Sequence, residues 1–180
     1  GALGDMGCYS YDVIFRVLKL GAPTRVEASS SDRFDETFPA SSMVHLDFPV
    51  RGEMPAVTLN WYDGGLLPAR PDALDEGQSL DKEGLMFVGD CGTILCGFTG
   101  ENPRLIPEAK MKAFRPPAKT LPRSPGNERE WLDACKGGKT KPGANFEFSG
   151  GVTEALLLGN VALRHAGSAG KTLDEAIELL

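Results

Sequence analysis

The first twenty residues, GALGDMGCYSYDVIFRVLKL, constrain the fold more than any other stretch of the chain. At 100° per residue, Asp5, Tyr9, Asp12 and Arg16 fall within about 60° of one another and share one helical face. Most of the remaining circumference is apolar, through Met6, Tyr11, Val13, Ile14, Phe15, Val17, Leu18 and Leu20. This pattern predicts a helix sitting mostly inside protein with one narrow polar stripe. A buried carboxylate without partners costs several kcal/mol, so the stripe must meet water, a cleft or other polar groups. Asp5 is placed as an N-cap, Gly21 as the glycine after the last turn, and Pro23 prevents continuation. Two readings of the stripe stand. It is a solvated face with an Asp12–Arg16 pair, worth about a few tenths of a kcal/mol, or it lines a cleft.

After Pro23 the pattern alternates. Val26, Ala28 and Ser30 oppose Arg25, Glu27 and Ser29; Val44, Leu46 and Phe48 oppose Met43, His45 and Asp47; Val57, Leu59 and Trp61 oppose Thr58, Asn60 and Tyr62. The last two runs, joined through residues 49–55, predict an antiparallel hairpin with His45 on its less apolar face. Trp61 and Tyr62 then point to opposite sides, so only one of them faces any given pocket. Residues 61–84, opening with WYDGG, read as a long irregular excursion. A second hairpin is expected from 85–88 and 93–98 around Gly89-Asp90-Cys91-Gly92, followed by a short strand at 104–106. Residues 107–125 read as too proline-rich for regular structure. Helices are expected at 127–136, stopped by Gly137-Gly138, and at 151–164, closed by Gly167, with small residues suited to close packing. Thr172 and Glu175 form a capping box for a last helix. The sum is an α+β domain: a mostly antiparallel open sheet with helices at both chain ends.

A length of 180 residues with 41% hydrophobic content suffices for one domain. A net charge of −6 with scattered Lys and Arg argues against nucleic-acid or anionic-membrane partners. No apolar run approaches the length of a membrane span. Cysteines 8, 91, 96 and 135 contain no CxxC pair and the two histidines lie far apart, so a zinc site is not expected. There is no GxGxxG and no GxxxxGK[ST], and the Gly89–Gly92 segment reads as a hairpin turn rather than a phosphate loop. The chain opens within a turn of a helix and stops mid-pattern, which predicts a fragment of a longer polypeptide.

In order along the chain, GALGDMGCYSYD, VTLNWYDGGLLP, GLMFVGDCGTIL with PRLIP, and EWLDACKGG with FSGGVTEALLLGNVALR resemble the C-terminal domain of the glucose-fructose oxidoreductase, inositol dehydrogenase and MocA family (Gfo/Idh/MocA). The resemblance implies a glyceraldehyde-3-phosphate-dehydrogenase-like open sheet that binds a sugar, polyol or related carbohydrate and forms a homo-oligomer through the sheet. It also implies that NAD or NADP is bound by a separate N-terminal Rossmann domain absent from this chain, which alone is expected to hold no cofactor and to be inactive. The family's opening helix carries D-x-G-x-H; this chain has Asp5, Gly7 and then Tyr9 where the histidine usually stands. Branches resembling glucose-fructose oxidoreductase and dihydrodiol dehydrogenase use tyrosine there. The resemblance thus assigns Tyr9 as the acid/base and Asp5 as its orienting partner or a contact to a substrate hydroxyl, with Asp12, Met6, Trp61 and Tyr62 as substrate contacts. A phenol, with an ordinary pKa of about 10, serves as base near neutrality when a cation lies close, and a lysine of the Rossmann domain is the expected neighbour. The alternative is a non-catalytic carbohydrate-binding or assembly module using the open sheet. A hydrolase pairing Asp5 with Asp12 is disfavoured, because seven residues of helix separate them by about 10.5 Å along the axis.

Overall fold

Alternation in β2 (Ser42–Phe48) organises the first layer. In the computed structural model, which describes residues 1–31 and 36–165, Ser42, Val44, Leu46 and Phe48 are buried and the residues between them only partly so. β1 (Arg25–Ser30) and β3 (Val57–Tyr62) pair antiparallel on either side of β2. The register sets Ala28 and Trp61 beside Val44, and Val26 and Leu59 beside Leu46. The apolar members of all three strands therefore share one face, and a one-residue slip would turn every one of them to solvent.

Two helices, α1 (Ala2–Leu18) and α4 (Phe146–Arg164), join that face. Leu3, Tyr11 and Phe15 of α1 form one core with Val152, Ala155, Leu156 and Leu158 of α4 and with the strand residues. Phe15 meets Phe48 edge-on at 5.7 Å. The close packing expected from small residues occurs where the helices and sheet meet. A Cβ at Gly7 would stand 2.7 Å from Leu156 Cδ2; one at Gly159 would stand 2.7 Å from Leu3 Cδ2 and 3.3 Å from Val44 Cγ1.

The second layer is smaller. β4 (Leu85–Gly89), β5 (Gly92–Cys96) and β6 (Arg104–Ile106) form a separate antiparallel sheet in that order. Its core consists of Leu95 and Ile106 closed by Leu74, which arrives from the irregular excursion after β3. That excursion is held by Arg70. Its Nε donates to the Gln78 carbonyl at 3.1 Å, and its Nη2 donates to the Leu74 and Asp75 carbonyls, each at 2.8 Å. The architecture is α+β and antiparallel, with the strands divided between two three-stranded sheets.

Several boundaries differ from the sequence reading. Asp5 is not the N-cap; Gly1 is, and Asp5 lies in the first turn with its N–H donating to the Gly1 carbonyl at 3.1 Å. A carboxylate there still suits the positive end of the helix dipole. Lys19, not Gly21, takes the left-handed conformation that ends α1, at φ 50°. The helix is also less enclosed than its apolar content suggests: Met6 and Val17 are 40% and 57% exposed, because only the flank toward the sheet and α4 is covered. Strand β5 stops at Cys96, short of Phe98. The proline-rich stretch contains α2 (Glu108–Ala113), formed in its proline-free interval. α3 (Asn127–Cys135) agrees with expectation, but its Trp131, Leu132 and Cys135 are exposed. α4 begins at 146 rather than 151, because the Asn145 side chain caps it by accepting the Phe148 N–H at 3.1 Å, and Gly150 and Gly151 ride inside the helix. Gly167 and the Thr172–Glu175 capping box lie outside the described residues.

Candidate functional site

The polar stripe of α1 divides into an occupied half and an open half. Asp12 accepts two hydrogen bonds from Arg16, from Nε to Oδ2 and from Nη2 to Oδ1, both at 2.9 Å. The same guanidinium donates to the Gly143 carbonyl at 2.9 Å and lies 3.8 Å from the centroid of the Phe148 ring. This end of the stripe ties α1 to the segment entering α4. Glu130 joins the tie, accepting from Ser124 Oγ at 2.5 Å and from the Gly143 N–H at 2.7 Å. The Ser124 hydroxyl first, then the Gly143 amide and the Arg16 charge, hold the Glu130 carboxyl below its ordinary value. Asp12 is therefore engaged in structure.

Asp5 and Tyr9 lie one turn apart at the open end. Both are exposed, Tyr9 by 54%. Among the described residues neither the Asp5 carboxylate nor the Tyr9 hydroxyl has a hydrogen-bond or ion-pair partner, although the Asp5 backbone carbonyl accepts from Cys8 Sγ at 3.3 Å. Met6 flanks them on the same surface, by helical spacing. An acid and a phenol presented together without partners are available to an incoming polar group.

A loop that the sequence reading did not select forms a wall beside Tyr9. The Phe98 ring lies 6.3 Å from the Tyr9 ring, tilted by 46°. The buried Ser10 donates its hydroxyl to the Phe98 carbonyl at 2.9 Å, fixing the loop to α1 across 88 positions of sequence. The loop is knotted internally. The Gly97 N–H donates to the Glu101 carbonyl at 2.8 Å and the Gly100 N–H to the Gly97 carbonyl at 2.9 Å. Glu101 Oε2 accepts from the Thr99 N–H at 2.9 Å and from Thr99 Oγ1 at 2.7 Å. The Thr99 hydroxyl is the largest cause holding the Glu101 carboxyl below its ordinary value. Burial first, and the Glu101 charge second, push the neighbouring Cys96 thiol up. Gly97 and Gly100 are required by proximity: a Cβ would fall 2.1 Å from Glu101 Oε1 at the first and 2.9 Å from Val13 Cγ1 at the second. The only local signal for this knot in the sequence is the pair of glycines bracketing Phe98-Thr99.

The other expected contacts are not brought to Tyr9. Trp61 packs against the opposite flank of α1, edge-on to Tyr11 at 6.1 Å, and Tyr9 is about 200° from Tyr11 around the helix. The Trp61 indole N–H donates to Asp63 Oδ2 at 2.8 Å. Asp63 also accepts from the Ser42 N–H at 2.6 Å and the Ser42 hydroxyl at 2.9 Å. WYDGG is thus a structural corner. Gly64 completes it at φ 66°, where a Cβ would come 2.2 Å from the Ala40 carbonyl oxygen. Tyr62 lies on the other face of β3, opposite Met43 in the register. His45 on that face meets Asn60.

The Gly89–Gly92 turn enters strand β5 rather than a helix, so no helix N-terminus stands there to receive a phosphate. Among the described residues no group of three or more His, Cys, Asp or Glu is arranged to hold a metal ion, and no helix is long and apolar enough to cross a membrane. No family model matches the chain, and no curated protein matches it.

Proposed function

We propose that this chain is the substrate-binding and oligomerisation domain of an NAD(P)-dependent oxidoreductase acting on a sugar, polyol or related carbohydrate. The observation that carries the reading is the pairing of an unengaged Asp5 carboxylate with an unengaged Tyr9 hydroxyl on one turn of α1, beside the Phe98 wall. The resemblance of the opening helix to the family motif supports the same pair. The dinucleotide belongs to a separate Rossmann domain, and this chain's part is confined to the substrate. Asp5 accepts a hydrogen bond from a substrate hydroxyl. Tyr9 Oη exchanges the proton of the reacting oxygen, taking it as an alcohol becomes a carbonyl and returning it in reverse. Met6 supplies apolar contact beside them. The face of the first sheet away from the helices, which carries Met43, His45 and Tyr62, is the surface for a second copy of the chain.

The test is to read the gene upstream of Gly1 and to assay the encoded protein on a panel of polyols and aldoses with NAD⁺ or NADP⁺. A strand followed by GxGxxG, with reduced nicotinamide formed on at least one substrate, is the expected result. A frame that opens near Gly1, with no nucleotide-binding partner, overturns the reading in favour of a carbohydrate-binding or assembly module.

A further inference from the structure

The 97–101 loop has a specific relation to Tyr9 that the proposed chemistry does not require in advance. A half-exposed phenol on a helix surface ordinarily samples several rotamers. Here one side of the Tyr9 ring is occupied by the Phe98 ring. Phe98 itself is only partly exposed, and it is held from both directions: its carbonyl by buried Ser10, and the loop that bears it by the Glu101–Thr99 knot. Gly100 lets the loop approach α1 at Val13, one turn along from Tyr9. Three separate contacts thus fix a single aromatic wall against the one unengaged phenol of the stripe.

We propose that Phe98 is a positioning residue. Through the contact of its ring with Tyr9 it restricts the phenol to the orientation in which Oη meets the reacting oxygen, and Ser10 anchors that wall. The inference rests on the reading of Tyr9 as the proton-transfer group.

The experiment is a double-mutant cycle in the full-length protein, with the polyol and nicotinamide cofactor that give the highest turnover. Phe98→Ala lowers kcat about 10-fold or more and changes KM by less than about threefold, while Phe98→Tyr, which keeps a ring in place, recovers most of the loss. Ser10→Ala reproduces a smaller part of the same effect by releasing the loop. The double variant Tyr9→Phe with Phe98→Ala is no slower than Tyr9→Phe alone, because Phe98 acts only through Tyr9. Additive losses in the double variant, or an unchanged kcat in Phe98→Ala beside a lowered one in Tyr9→Phe, overturn the role of Phe98 alone. An unchanged kcat in Tyr9→Phe overturns the underlying reading. Independently of activity, proton nuclear Overhauser contacts between the Tyr9 and Phe98 rings are expected in the 180-residue chain. They are weakened in Ser10→Ala while the core resonances of Leu46 and Phe48 stay in place. Their absence in the unsubstituted chain removes the wall.

Discussion

The two sheets are built from the same kind of antiparallel pairing but are held by different means. The sheet β1–β3 is backed by α1 and α4 and shares with them a core of buried residues that runs from Leu3 to Leu158. Among the described residues the sheet β4–β6 has a smaller buried core, Leu74, Leu95 and Ile106, with Ala73, Leu80 and Met86 partly buried against it. Its surroundings are fixed by polar groups instead: Arg70 on the excursion carbonyls, Lys110 Nζ on the Cys91 carbonyl at 2.9 Å, and Asp75 Oδ2 accepting the Glu108 N–H at 2.9 Å. The difference assigns separate duties. The first sheet gives α1 a fixed place, and the second delivers the 97–101 loop to the exposed end of the α1 stripe. The candidate site lies where a strongly packed element meets a weakly packed one, and the wall beside Tyr9 is held in place by its own polar contacts to α1 and within the loop.

That contrast is broken most sharply by truncating one core residue in each sheet. Leu46→Ala is expected to lower global stability by about 2–5 kcal/mol, the usual range for a buried leucine whose surroundings relax only partly. Leu95→Ala is expected to speed hydrogen exchange within β4–β6 while leaving the Val44 and Leu46 amides protected. Equal loss of protection in both sheets would show one cooperative unit instead of two layers. Gly64→Ala comes next, because it places a Cβ on the Ala40 carbonyl in a left-handed conformation. A cost of about 2 kcal/mol or more in chemical denaturation is expected, together with release of the Asp63–Ser42 corner of the first sheet.

A smaller effect of opposite sign is expected at Tyr11. Its hydroxyl is buried without a hydrogen-bond partner among the described residues, and burial pushes the phenol well above its ordinary value. Tyr11→Phe removes the unsatisfied group and should stabilise the first layer by about 1 kcal/mol. The sign with pH follows from the raised value. The neutral phenol favours the fold fully below the unfolded value of about 10, and that contribution falls as pH rises above it. Tyr11→Phe should therefore flatten the alkaline end of the stability profile, and an unchanged profile would mean that the phenol ionises as readily in the folded chain as in the unfolded one. The smallest effect belongs to the second layer. The Glu101 carboxyl is held below its ordinary value, so its hold on Thr99 is complete above about pH 4.5 and is lost as pH falls through the lowered value. The Thr99 amide resonance should report this titration, and Glu101→Gln should abolish it without melting β1–β3.

Much of the first layer was legible because its determinants are local. The alternation of Val44, Leu46 and Phe48 set the inner face of β2, and the spacing along α1 placed Asp12 beside Arg16. What was not legible depends on contacts distant in sequence or on competition between local signals. The apolar spacing in the sequence begins only at Val152, so it opened α4 at Gly151, yet the Asn145 cap starts it earlier and tertiary burial of Val152, Ala155 and Leu156 accompanies its passage through Gly150 and Gly151. Trp61 was read as a substrate contact from the family resemblance; its hydrogen bond to Asp63, which in turn holds Ser42, depends on a partner 21 positions away that no local pattern marks. The division of the strands into two sheets left no periodic mark, since each hairpin has the same internal pattern. Phe98 was missed for the plainest reason: its partner Ser10 is 88 positions away, and a Gly-Phe-Thr-Gly turn announces a bend without naming what the bend will touch.

The most direct test of the functional account is the steady-state kinetics of Tyr9→Phe in the full-length protein, measured with the best polyol substrate and its nicotinamide cofactor. The account predicts a fall in kcat of about 100-fold or more, the usual worth of a positioned acid or base, with KM within about threefold of the unsubstituted enzyme. Unchanged turnover, or a loss expressed in KM alone, would contradict it and leave the open end of the α1 stripe as a binding surface only.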